Sequence, residues 1–116
     1  MAQTKIVNNN IKKTAIRFRN ILEKKGIPIE RMIIFGSYAK GKAKPDSDID
    51  ICIVSPKFGK DSIEELQFLL KQRRKVDSRI EPLPVSSLEY RETSSPIIFE
   101  IKKFGKEIIN KNGRTK

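Results

Sequence analysis

Met32-Ile33-Ile34-Phe35-Gly36-Ser37, followed beyond residues 38–47 by Asp48-Ile49-Asp50-Ile51-Cys52-Ile53, is the stretch that decides the fold. The first run is apolar, short and closed by glycine, which is the pattern of a buried strand. From Asp48 the pattern alternates. Asp48, Asp50 and Cys52 share one parity, and Ile49, Ile51 and Ile53 share the other. Period two predicts a second strand with one face on the core. Between the two strands, residues 37–41 suit a single helical turn. Lys42 to Ser47, marked by Pro45-Asp46, suits a loop.

Upstream, Ile11, Ala15, Phe18 and Leu22 recur at helical spacing. A helix is predicted over residues 8–25, ended by Gly26 with Pro28 close behind. Downstream, Ser62-Ile63-Glu64-Glu65 resembles a capping box, and Ile63, Leu66, Leu69 and Leu70 form the expected core stripe of a helix. Lys75 to Leu83 returns to strand character, with Asp77, Arg79 and Glu81 on one parity. Ser95-Pro96 opens a further helix carrying Ile97, Ile98, Ile101 and Phe104, with Gly105 at its end. Ile108-Ile109 suits a short closing strand, and the tail over residues 110–116 is polar. The expected order is α-β-α-β-α-β-α, an α/β (α+β) fold with a small mixed sheet flanked by helices. The whole of residues 1–116 is expected to form a single domain with its core at about 10–109.

Composition narrows the chemistry. The chain has 116 residues, enough for one core and too few for two. It has no histidine, which excludes Ser-His and Cys-His catalysis and every histidine-ligated metal site. Its one cysteine, Cys52, sits in an apolar run and reads as a buried small hydrophobe. Twenty-five basic residues against 14 acidic give a net charge of +11, which favours polyanionic partners such as nucleotides or nucleic acid. No apolar stretch approaches membrane-spanning length and residues 1–10 hold no apolar signal core, so the expected location is cytoplasmic.

The candidate site lies where the first two strands meet the connection between them. Gly36 permits a sharp turn and close backbone approach to a ligand, and Ser37 adds a hydroxyl at the start of a helical turn. Lys40, Lys42 and Lys44 add positive charge. Asp48 and Asp50, at positions i and i+2 of a strand, would lie about 7 Å apart on one face and repel unless a cation lies between them. Magnesium takes one or two carboxylates together with substrate phosphate. A phosphate cradle facing a divalent-metal site meets the needs of two-metal nucleotidyl transfer. Asp77 and Glu81 are the candidates for a third carboxylate.

Ile34-Phe35-Gly36-Ser37-Tyr38-Ala39-Lys40-Gly41 followed by Ser47-Asp48-Ile49-Asp50-Ile51 resembles the signature of the polymerase-beta-type nucleotidyltransferase superfamily, and most of all its minimal nucleotidyltransferases. The resemblance implies the polymerase-beta-like fold. It also implies Mg²⁺ dependence with two ions, and a nucleoside triphosphate donor, ATP in the first instance. Asp48, Asp50 and a third acid would be the catalytic metal ligands, and Gly36, Ser37 and Lys42 would bind the nucleotide. Asp77-Ser78-Arg79-Ile80-Glu81-Pro82 is similar to the polymerase-type run that selects Asp77 as the third acid. Ile80-Glu81 with Leu88 matches the minimal members and selects Glu81. Asp77 is preferred here.

For partners, the resemblance implies a small helical protein encoded nearby, with the chain acting as an antitoxin that adenylylates it. Alternatives are transfer to a small molecule such as an antibiotic by a homo-oligomer, and a non-catalytic basic module that binds nucleic acid. Acids at the surface oppose the last.

Overall fold

The computed structural model describes residues 9–92 and 95–110. Position 8 of the first expected helix and the polar tail beyond Asn110 lie outside the described residues. The first helix, α1 (Asn9–Lys24), buries the four expected residues, Ile11, Ala15, Phe18 and Leu22. Gly26, at φ 89°, turns the chain out of it. β1 (Arg31–Phe35) then runs into the turn α2 (Ser37–Lys40), and β2 (Ile49–Ser55) returns beside it. α3 (Ser62–Arg73) carries the chain back to β3 (Ile80–Ser86). α4 (Ser87–Glu92), α5 (Pro96–Phe104) and β4 (Lys106–Ile109) follow.

The four strands form one mixed sheet in the order β3-β2-β1-β4. β1 is antiparallel to both β2 and β4, and β2 is parallel to β3. The helix-bearing crossover through α3 is what allows the parallel pair. The sheet is covered on both faces. Ile34, Ile49, Ile51, Ile53 and Ile80 pack in one cluster with α1 and α3 residues. Ile33, Cys52, Val54 and Val85 pack in a second with Ile98 and Ile101 of α5. The sequence pattern anticipated one buried face for β2. In the fold, the parity of Asp50 is also buried once α5 covers it, at Cys52 and Val54. Cys52 is fully buried and its thiol is pushed up to about 12 by burial, so it packs as a small hydrophobe.

Four features differ from expectation. The strand anticipated over Lys75–Leu83 begins only at Ile80 and runs to Ser86, with Lys75 to Arg79 forming the turn before it. Its two prolines, Pro82 and Pro84, fit because β3 is the sheet edge, where a missing N–H costs no ladder bond. The α3 stripe is also narrower than anticipated. Leu69 is fully buried while Ile63 is 71% exposed, and Gln72 takes the second buried position. The cap of α3 is Asp61, one residue before Ser62. Its carboxylate accepts from the Glu64 N–H at 3.0 Å, and Glu65 reaches back to the N–H groups of Gly59, Lys60 and Asp61. Finally, α4 was not anticipated. Ser86 and Glu89 cap it reciprocally, the Glu89 N–H donating to Ser86 Oγ and the Ser86 N–H to Glu89 Oε1.

Candidate active site

The site is assembled by strand register. Phe35, the last residue of β1, is paired with Asp50 of β2, so Gly36 leaves the sheet directly alongside that aspartate. Gly36 has φ 71° and ψ −146°, a conformation reserved for glycine. A Cβ there would fall on Asp50 Oδ2 and 3.1 Å from Asp50 Cγ. The turn that begins α2 and the Asp50 carboxylate are thus in contact, and only the missing side chain of Gly36 permits it. No side chain caps α2 at its start. Its end is closed by Gly41 in the left-handed region, and the Lys42 N–H donates to the Ser37 carbonyl at 2.9 Å. Lys42 itself is exposed, and Ser37 is half-buried.

On its other side, Asp50 is in register with Glu81 across the parallel pair. Partners in register present their side chains to the same face of a sheet. Asp48 lies just before β2, in the loop rather than the strand, and is exposed. Burial, and then the charges of Asp48 and Glu81, raise Asp50 above the ordinary carboxylate range. Asp50 is therefore the acid that most needs a cation.

Asp77 stands elsewhere. It precedes β3, and its carboxylate is held by Arg79, with Nε donating to Oδ1 at 3.1 Å and Nη2 to Oδ2 at 2.8 Å. The Arg79 hydrogen bond keeps Asp77 below the ordinary value, against a smaller opposing effect of burial. Its anion is already satisfied, and Asp50 feels Glu81 instead. The preference for Asp77 came from the likeness of residues 77–82 to the polymerase-type run, and in the fold Asp77 lies in the turn ahead of β3 rather than on the strand. The sequence signal for Glu81 was Ile80-Glu81 with Leu88, and the parallel register adds its place beside Asp50. Glu81 is half exposed, and Arg73 of α3 lies 3.5 Å from it.

Among the described residues no three acids close into a ready metal cage. Magnesium retains waters and takes one or two carboxylates plus phosphate oxygens. Asp48 and Asp50, with Glu81 beside them, are the residues that fit it. A cleft of about 400 Å³ between Ile27, Phe58 and Phe68 is at the opposite end of β2 from Asp50.

No curated protein sequence matches the chain. Among solved structures, a protein of Sulfolobus solfataricus described as a nucleotidyltransferase superposes with a TM-score of 0.61 at 15% identity, over 100% of this chain and 98% of that one. A chain from a toxin–antitoxin complex with AMP-PNP gives 0.58 at 21% identity, covering 85% of this chain and 73% of that one. A chain from a complex of the Shewanella oneidensis HEPN toxin, tri-AMPylated, with its MNT antitoxin gives 0.55 at 17% identity, covering 88% and 74%. At these identities the likeness is one of fold. Sequence evidence comes from the family model of the nucleotidyltransferase domain, which matches residues 15–114. That span runs from α1 past β4 and contains the Gly36 turn and all four acids. The chain therefore belongs to the nucleotidyltransferase domain family and is a nucleotidyltransferase of the polymerase-beta-like fold.

Proposed function

We propose that this domain transfers AMP from ATP to a hydroxyl of a partner protein, with release of pyrophosphate, and that Glu81 supplies the third carboxylate of its site. The observation that carries this reading is the row Gly36, Asp50, Glu81, a tight turn packed on one acid with a second acid in register beside it. The triphosphate would lie along the Gly36-Ser37 turn, with Lys42 adding charge from the loop. Asp48, Asp50 and Glu81 would hold Mg²⁺, which when bound neutralises phosphate charge and lowers the pKa of a bound hydroxyl. The acceptor hydroxyl gives up its proton to solvent, its oxygen bonds to the α-phosphorus, the bond to the bridging oxygen breaks, and pyrophosphate leaves. No protein nucleophile is required, so the contribution of the chain is positioning and charge.

A protein acceptor is supported by two neighbours in fold space, toxin–antitoxin complexes that contain AMP-PNP in one case and an AMPylated toxin in the other. The test is to incubate the protein with labelled ATP, Mg²⁺ and the helical protein encoded beside it. Label on that protein with wild type, and none with Asp48→Asn or Asp50→Asn, is the expected result. Absence of transfer by a folded wild type that binds nucleotide would overturn the choice of acceptor.

A further inference from the structure

β2 begins at Ile49, so the sheet fixes Asp50 but leaves Asp48 on the connecting loop. Something outside the ladder must hold Asp48 near its neighbour. Within the loop, the Lys44 N–H donates to Ser47 Oγ at 2.8 Å and the Ser47 N–H donates to the Lys44 carbonyl at 3.0 Å. These bonds shape the loop without anchoring it. The anchor is Arg79. Its Nη1 donates to the Pro45 carbonyl at 2.7 Å and to Tyr38 Oη at 3.3 Å, and Tyr38 Oη donates to the Lys44 carbonyl at 3.2 Å. Asp77 grips the rest of the guanidinium through two parallel bonds and takes the Arg79 main-chain N–H at 2.9 Å. The Arg79 carbonyl in turn accepts the Ile49 N–H at 2.8 Å, tying the clamp to the first residue of β2.

An isolated exposed ion pair contributes little. This one is bidentate, and its remaining nitrogen, Nη1, donates to the Pro45 carbonyl on the loop and to Tyr38 Oη on α2, which fixes its geometry. A lysine at position 79 would have no planar fork with which to hold Asp77 and the loop at once.

We propose that Asp77, Arg79 and Tyr38 form a clamp that positions the loop carrying Lys42, Lys44 and Asp48, and that Arg79 is a positioning residue for the site. The role of Asp77 is to orient Arg79. The functional consequence rests on the nucleotidyl-transfer reading, whereas the clamp itself does not.

Two measurements on the full chain test it separately. The first is amide hydrogen exchange without nucleotide. Arg79→Gln should speed exchange at Lys44 and Ser47 roughly tenfold while the β2 amides from Ile51 to Val54 keep their protection. The second is Mg²⁺-dependent binding of a non-hydrolysable ATP analogue. Arg79→Gln should raise the Mg²⁺ concentration for half-maximal binding roughly tenfold, Asp77→Asn should match it, and the double variant should be no worse than either. Unchanged loop exchange in Arg79→Gln, or additive losses in the double variant, would overturn the clamp. A wild type that binds no nucleotide would overturn the reaction, and loop exchange would still decide the clamp. Should Arg79→Gln fail to fold, Tyr38→Phe and Arg79→Lys carry the same comparison. The phenylalanine must loosen Lys44 and Ser47, and the lysine must restore less than the full protection, or the clamp is wrong.

Discussion

Asp50 and Glu81 face one another in register across the only parallel strand pair of the described sheet. With Asp48 also near, Asp50 bears the combined cost of burial and two like charges. A carboxyl whose folded-state value is raised gives the fold stability that is present at low pH and lost as pH rises through that value. Ionising Asp50 in the metal-free protein therefore works against the fold. Asp50→Asn removes the charge at nearly constant shape. Its thermal midpoint without metal should rise above that of the wild type with its carboxyl ionised. Mg²⁺ with nucleotide should then raise the wild-type midpoint and leave the variant's unchanged. Scanning calorimetry with and without the ligands reads both effects.

Gly36 makes a second prediction. Alanine there would need φ 71° and would place its methyl on the Asp50 carboxylate. Backbone strain of this kind costs about 1–3 kcal/mol, and the carboxylate must also move. Gly36→Ala should lower the urea midpoint and lose Mg²⁺-dependent nucleotide binding. Gly26→Ala serves as the comparison, since it has a positive φ but nothing within 4 Å of the added methyl, and should show the strain without the binding loss.

How far the sequence led is clearest at these same residues. β1, the Gly36 turn and β2 were readable because each depends on a local pattern: an apolar run, a glycine, an alternation. Glu81 was one of two candidates for the third carboxylate, and only the register between strands separated by a helix sets it beside Asp50. β3 was displaced because Lys75 to Arg79 alternates like a strand. Pro82 and Pro84 look like interruptions there, yet they lie on a sheet edge that tolerates them. α4 was missed although Ser86 and Glu89 have capping-box spacing, since few apolar residues follow at helical intervals.

The corrected face of α3 is testable by itself. Leu69 is fully buried in the main cluster, while Ile63 is 71% exposed and borders a shallow groove with Pro82 and Pro84. Leu69→Ala should cost about 2–5 kcal/mol, as buried leucines do. Ile63→Ser should stay within roughly 0.5 kcal/mol of wild type. Urea denaturation of the two variants separates the buried face from the exposed one. Equal losses would return Ile63 to the core stripe that its spacing suggested.

The Asp77–Arg79 pair has a pH signature opposite in sign to that of Asp50. Hydrogen bonding to Arg79 lowers Asp77 below its ordinary value of 3.8. An acid depressed in the folded state contributes stability that is present above its unfolded value and lost as pH falls through the folded one. Wild type should therefore be more stable than Asp77→Asn at neutral pH. The gap should narrow only as pH falls below 3.8, the region where the folded carboxylate takes up its proton. Both side chains retain some solvent exposure, so salt should shrink the neutral-pH gap as well. Asp50→Asn should behave in the reverse way, its advantage over wild type growing as pH rises and fading as acid protonates the wild-type carboxyl. Urea midpoints of the three proteins across the acid range check the two signs together. If Asp77 were instead a strained member of the carboxylate cluster, Asp77→Asn would be stabilising near neutrality, as Asp50→Asn is expected to be.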